Sequence, residues 1–154
     1  MRTPSDKTPA SPSTGWNTYT SATWGYSVSY PATWYNLPNS GAPDTDKYFS
    51  NENVSAPLQM TNAGIWLTIR TMSGACPPPQ GRIDGEAHLT VGGRSVTRTY
   101  GYFGPPGAES GWTIDAAVTR GSRCFTFGYF ALTQPARDNN LDITGRMITS
   151  FQFL

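Results

Sequence analysis

The chain has 154 residues, with 11 lysines and arginines against 10 aspartates and glutamates, and charged side chains make up 14% of it, far below the roughly 25% of an average globular protein. A net charge of +1 without a clustered basic stripe excludes a nucleic-acid footprint, and no run of 18 or more apolar residues is present to cross a membrane as a helix. Aliphatic side chains are sparse, but 5 tryptophans, 8 tyrosines and 7 phenylalanines compensate, because each ring can bury roughly 150–250 Å².

Residues 1–15, MRTPSDKTPASPSTG, hold no large apolar side chain except Met1. They read as a disordered Ser/Thr/Pro-rich tether. Two readings stand beside each other, a spacer that lifts the domain off a membrane and an ordinary frayed terminus. Residues 16–154 read as one domain. Asn17–Thr23 makes a first strand and Trp24-Gly25 a turn. Tyr26, Val28 and Tyr30 then alternate with Ser27 and Ser29, a half-buried strand. Pro31 has no N–H to donate and ends it. Ala32–Leu37 reads as a short helical or irregular turn anchored by Trp34, and residues 36–46 as loop. Lys47–Asn51 is a short strand. Ile65, Leu67 and Ile69 alternate with Trp66, Thr68 and Arg70 in a clear one, followed by a Pro-rich loop from Gly74 to Asp84.

Ala87, Leu89 and Val91 form a strand that stops at Gly92-Gly93, a pair suited to a two-residue hairpin. Arg94–Phe103 returns. After the Gly104–Gly107 loop, Trp112, Ile114, Ala116 and Val118 alternate again. Gly121-Ser122 turns the chain into a strand from Cys124 to Leu132. Near the end the period changes. Leu141, Gly145 and Ile148 fall at helical spacing, with Asp138, Asn139 and Asn140 as caps, which predicts one helix over roughly 138–150. The fold class is therefore α+β, an antiparallel sheet of about six or seven strands flanked by a C-terminal helix and a short N-terminal helix.

Three segments of this sequence resemble the PsbP/Mog1-like domains, which include photosystem II extrinsic proteins, a Ran-binding nuclear protein and many bacterial lipoproteins. Tyr26-Ser27-Val28-Ser29-Tyr30-Pro31-Ala32-Thr33-Trp34 is similar to the family's GYSFSYPSDW opening. Leu89-Thr90-Val91-Gly92-Gly93-Arg94 is similar to its mid-chain hairpin. Ile148-Thr149-Ser150-Phe151-Gln152-Phe153 is similar to its closing I-x-S-F helix end. Together they frame residues 16–154. The resemblance implies an antiparallel sheet flanked by helices and an accessory or binding role without catalysis. It carries over no functional residue, and the acidic patch of the Ran-binding member has no counterpart here.

Asp84, Glu86 and His88 lie two apart, which on a strand places all three on one face as a metal cluster or as plain solvated groups. Ser110, Asp115 and His88 supply the residue types of a nucleophilic triad, but no G-x-S-x-G elbow surrounds any serine. Gly92-Gly93 and Gly104–Gly107 lack the Lys-Ser/Thr of a phosphate loop. Trp66, Tyr100, Tyr102, Phe103 and Trp112 are candidate ligand-binding aromatics, with core packing as the alternative. Asn53-Val54-Ser55 is a glycosylation sequon with meaning only in a glycosylating pathway. Cys76 and Cys124 are the only cysteines. The strands beside them, if antiparallel, bring the two to the same end of a sheet, which predicts a disulfide rather than two reduced thiols.

These features point to a non-enzymatic extracytoplasmic module, tethered or secreted, that binds a protein or cell-surface partner. Two rivals are a glycan- or small-ligand-binding module using exposed aromatics, and a hydrolase. No catalytic residue, cofactor or metal is assigned, nucleic acid is excluded as a partner, and a monomer is expected. No signal-peptide hydrophobic core is present, and the polar tail after Met1 fits both a chain cut behind a signal or lipid-attachment cysteine and a natural cytoplasmic start.

Overall fold

The computed structural model describes residues 15–39, 44–104 and 110–154; the expected tether, all but Gly15, lies outside them. In chain order the elements are β1 (Trp16–Ser21), β2 (Tyr26–Pro31), β3 (Tyr35–Leu37), β4 (Asp46–Ser50), a 3-10 turn (Pro57–Gln59), β5 (Ile65–Ser73), β6 (Arg82–Val91), β7 (Arg94–Phe103), β8 (Gly111–Arg120), β9 (Arg123–Ala131), α1 (Gln134–Asp138), α2 (Leu141–Thr149) and β10 (Gln152–Phe153). Seven strands form one sheet in the order β3-β4-β5-β9-β8-β7-β6, every neighbouring pair antiparallel.

The remaining strands differ from the expected single sheet. They pair as a separate three-stranded sheet, β10-β2-β1. Both faces of the large sheet need cover, and Tyr26, Val28 and Tyr30 supply it on one side. Together with Met147, Ile148 and Phe151 they pack on the inner row of Leu67, Ile69, Ile114, Phe125, Phe127 and Tyr129. The contact is strongly aromatic. The Tyr26 ring lies 5.7 Å from Phe125 and stacks on Phe151 at 5.2 Å, and Phe151 meets Phe127 edge-on at 5.5 Å. Rings thus do the work that a richer aliphatic core would do elsewhere.

The helical alternative for residues 32–37 is not the one found. At Ala32–Trp34 the chain turns, with the Trp34 N–H donating to Pro31 O at 2.9 Å, and Tyr35–Leu37 goes on as edge strand β3 against Tyr48–Ser50. Of the two sequence alternatives the irregular turn is the one found, because burying Trp34 in the core fixes the direction of the chain. The expected C-terminal helix is found as α2, and a short helix not expected from the sequence, α1, precedes it. Thr133 caps α1 by accepting the Ala136 N–H at 3.3 Å, and the Asn139-Asn140 turn, with Asn140 Nδ2 donating back to Ala136 O at 2.6 Å, separates it from α2.

The I-x-S-F ending has a physical role. The Ser150 hydroxyl donates to Met147 O at 2.6 Å and accepts the Ser29 N–H at 2.8 Å. One side chain thereby closes α2 and docks it on β2, and it places Phe151 in the core. Ser150→Ala orphans a partly buried backbone donor and is expected to cost about 1–2 kcal/mol, read as a lower urea midpoint at unchanged slope.

The hairpins follow the glycine signals. Val91 pairs with Arg94 across Gly92-Gly93, both at positive φ, 58° and 82°, as a two-residue turn of this kind requires. The connection from β5 to β6 is different. These strands run parallel and lie at positions three and seven of the sheet, so residues 74–81 must cross a whole face. Ser73 stands level with Arg120 and Arg82 with Trp112, at opposite ends of β8. That diagonal is roughly 30 Å, close to the reach of a fully extended segment of this length. Pro77, Pro78 and Pro79 favour such an extended path. The segment is a taut strap over the outer face.

Candidate functional site

The outer face of the large sheet is built from small side chains at its centre. Pairing aligns Trp66, Phe130, Thr113, Gly101 and Ile83 in one transverse row, and Thr68, Gly128, Asp115, Thr99 and Glu86 in the next. Ala117, Thr126 and Thr97 lie beyond, two residues further along their strands. Gly, Ala and Thr cannot fill the space under the strap. What remains is a cleft of about 740 Å³, walled by Trp66, Phe103, Phe130 and Met72 and roofed by Pro57 and Pro77–Gln80. This size lies within the usual range of small-molecule sites, about 300–1,000 Å³.

The strap is fixed at one end. Cys76 and Cys124 form the expected disulfide, with S–S 2.05 Å and Cα–Cα 5.2 Å. Cys124 points to the outer face from the start of β9, so the bridge pins the prolines over the floor.

Asp115 sits mid-floor, half-buried. Its carboxylate has no hydrogen bond or ion pair among the described residues. Burial pushes its pKa up to about 6 from 3.8, because the apolar surroundings disfavour the charged form. Arg70, the one cation lining the cleft among the described residues, is committed elsewhere. Its Nε and Nη2 donate to the two oxygens of Asp46 at 2.9 and 3.0 Å. Gly128 faces Asp115 across the β8–β9 pair, and a Cβ there would come no nearer than 3.9 Å to Asp115 Oδ1.

The five candidate aromatics do not converge. Trp66 and Phe103 line the outer cleft. Trp66 is only 6% exposed, packed with Leu37 and Met60, and it presents no open ring platform. Tyr100, Tyr102 and Trp112 lie on the other side of the sheet, around arginines. Arg137, 2% exposed, has its guanidinium 4.9 Å from the Tyr100 ring and 5.0 Å from the Trp112 ring. It donates to Asp84 Oδ2 at 2.9 Å, Gly101 O at 2.8 Å and Asp138 Oδ1 at 2.9 Å. Arg82 covers Tyr102 and Trp112 and binds the same Asp84 through two bonds. Hydrogen bonds from Arg82 and Arg137 hold the Asp84 carboxyl well below its ordinary range. The partners are all satisfied, and the cluster bolts α1 to the β6–β8 end of the sheet.

That cluster also separates Asp84 from Glu86 and His88. The register shifts between Ile83 and Gly85, and this bulge turns Asp84 toward Arg137, breaking the strict two-residue alternation assumed in the sequence. Among the described residues no group of three His, Cys, Asp or Glu side chains could hold a metal. His88 instead meets Thr97 at 3.3 Å on the exposed outer face. Ser110, His88 and Asp115 are joined by no hydrogen bond. Ser110 is exposed before the start of β8, while Asp115 lies well inside that strand.

Sequence reasoning met Asp115 only as a triad member and missed the cleft. The readable signal was the polar phase of three successive strands, Thr97/Thr99, Thr113/Asp115/Ala117 and Thr126/Gly128, uniformly small around one acid.

No protein-family model and no curated protein matches the chain. Among solved structures it is similar to the solution structure of cyanobacterial PsbP (CyanoP) from Synechocystis sp. PCC 6803, with a TM-score of 0.59 and 12% identity over 97% of this chain and 98% of that one. The chain has the PsbP fold. It is also similar to a crystal structure from Bacteroides thetaiotaomicron VPI-5482, with a TM-score of 0.50 and 11% identity over 85% of this chain but 45% of the other. The α+β architecture expected from the three sequence segments is thus the one found, and at these identities the likeness carries the fold alone. No helix among the described residues is long and apolar enough to cross a membrane.

Proposed function

We propose that this PsbP-fold chain is a non-enzymatic binding module and that its outer-face cleft is the binding site. The observation that carries this reading is the cleft itself, walled by apolar side chains around one acid that has no partner among the described residues. It fits the small-ligand alternative better than a flat protein-docking surface, and it uses Asp115 and the threonines rather than an aromatic platform. Among the described residues the cleft offers a single carboxylate and His88 lies outside it, so those residues do not assemble there the acid–base pair that a hydrolase uses. The disulfide supports an oxidising, extracytoplasmic compartment, and residues 1–15 fit a tether to a surface in that setting.

The test is fragment screening by backbone-amide NMR. Shifts are expected to cluster at Thr99, Thr113, Asp115 and Gly128. Gly128→Val plugs the floor and suits strand backbone, so it is expected to fold and to abolish those shifts. Fragment shifts that lie elsewhere, or that survive Gly128→Val, would refute the site.

A further inference from the structure

We propose that the cleft binds an organic cation, a small molecule carrying an ammonium group on an apolar body, with the Asp115 carboxylate as its counter-ion. This rests on the reading of the cleft as a binding site and adds the ligand's chemical class.

A carboxylate half-withdrawn from water without a partner is costly, and a matching cation offsets that cost. The described residues do not supply one. Arg70 lines the cleft but spends its guanidinium on Asp46. Glu86 lies in the same transverse row as Asp115, with Thr99 between them, and adds negative potential. The hydroxyls close to Asp115 are also uncommitted. Thr99 stands directly opposite it and Thr113 two residues before it on the same face, and neither side chain has a hydrogen bond among the described residues. An ammonium group has three donors and no acceptor. One carboxylate and two hydroxyls at the bottom of an apolar cleft match that inventory. A neutral polyol would use the hydroxyls but leave the charge uncompensated, and an anion would meet repulsion from both acids.

The experiment compares phenethylammonium with its neutral isostere phenethyl alcohol and the anionic hydrocinnamate. Each is titrated at pH 8 into the wild-type protein and the near-isosteric Asp115→Asn variant, with amide shifts as the readout. The cation is expected to shift the Thr99, Asp115 and Gly128 amides with at least about tenfold higher affinity than the alcohol, and hydrocinnamate is expected not to bind. Asp115→Asn is expected to bring the cation down to the level of the alcohol. Equal affinity of cation and alcohol in the wild type, or unchanged cation binding in Asp115→Asn, would overturn the charge assignment while leaving the cleft a binding site. Absence of cleft shifts with the cation up to about 10 mM would also overturn it. The fragment screen with Gly128→Val tests the site separately.

Discussion

Reduction of Cys76–Cys124, or Cys76→Ser with Cys124→Ser, is expected to cost the fold about 4 kcal/mol. The bridge closes a loop of 48 residues in sequence separation, and chain entropy assigns a loop of that size this order of stabilisation. A domain of this length loses about 2–4 °C of Tm per kcal/mol, so the melting temperature should fall by roughly 8–16 °C. That is a large part of a total stability of about 5–15 kcal/mol. The loss is also expected to have a location. The strap from Gly74 to Gly81 is held by the disulfide at one end and by β6 at the other, and its length leaves little slack. Once the bridge is gone, the prolines lose their anchor above the floor while the inner core of Phe125, Phe127 and Phe151 is untouched. Hydrogen exchange should therefore rise first at Gln80 and Gly81 and at the amides around Gly128. Proline offers no amide, so the strap itself reports through its ends. Melting within about 2 °C of the oxidised protein would show that the strap is seated by packing alone.

Some of this architecture was legible in the residues and some was not. Alternation fixed β5, β6 and β8, since one apolar phase in an antiparallel strand leaves one choice of face. Gly92-Gly93 and Gly121-Ser122 identified their hairpins because their turns need positive φ. The disulfide followed from strand direction. Local pattern does not say which sheet a strand joins, and β1 and β2 look alike in either. That choice is made by packing at long range, where Tyr26 finds Phe125 and Phe151. The Ile83–Gly85 bulge was likewise invisible, because Arg137, 53 residues away from Asp84 in sequence, sets it. The cleft escaped for a related reason. Threonine on the polar phase of a strand normally means solvent, and only the strap's path over the sheet turns that polar face into a lined pocket. Asp115 was therefore weighed only as the acid of a triad that lacks its serine motif, and the small residues around it were not connected to it.

Asp115→Asn is expected to stabilise the protein at pH 7–8 and to flatten its pH dependence. The carboxyl has an unfolded value of 3.8 and is raised to about 6 in the fold. Between these values the folded state holds a proton that the unfolded state has released. Stability therefore falls as pH rises from about 4 through 6 and levels off above. A shift of this size corresponds to up to about 3 kcal/mol, lost in the alkaline arm of the wild-type curve. Asparagine keeps the shape and carries no charge, so the variant should lack this fall and exceed the wild type most at pH 8. Arg70 and Asp46 on the rim, and Glu86 and His88 on the same face, are common to both proteins, so the difference curve isolates Asp115. The readout is the urea midpoint of each protein from pH 4 to pH 8. A difference curve that is flat across that range would mean that water reaches the carboxylate freely, and the cleft would then be too wet to favour a cation. A site that weakens its own fold in the absence of ligand has the converse property: a bound ammonium group should restore much of the lost stability, raising the wild-type midpoint and leaving that of Asp115→Asn where it was.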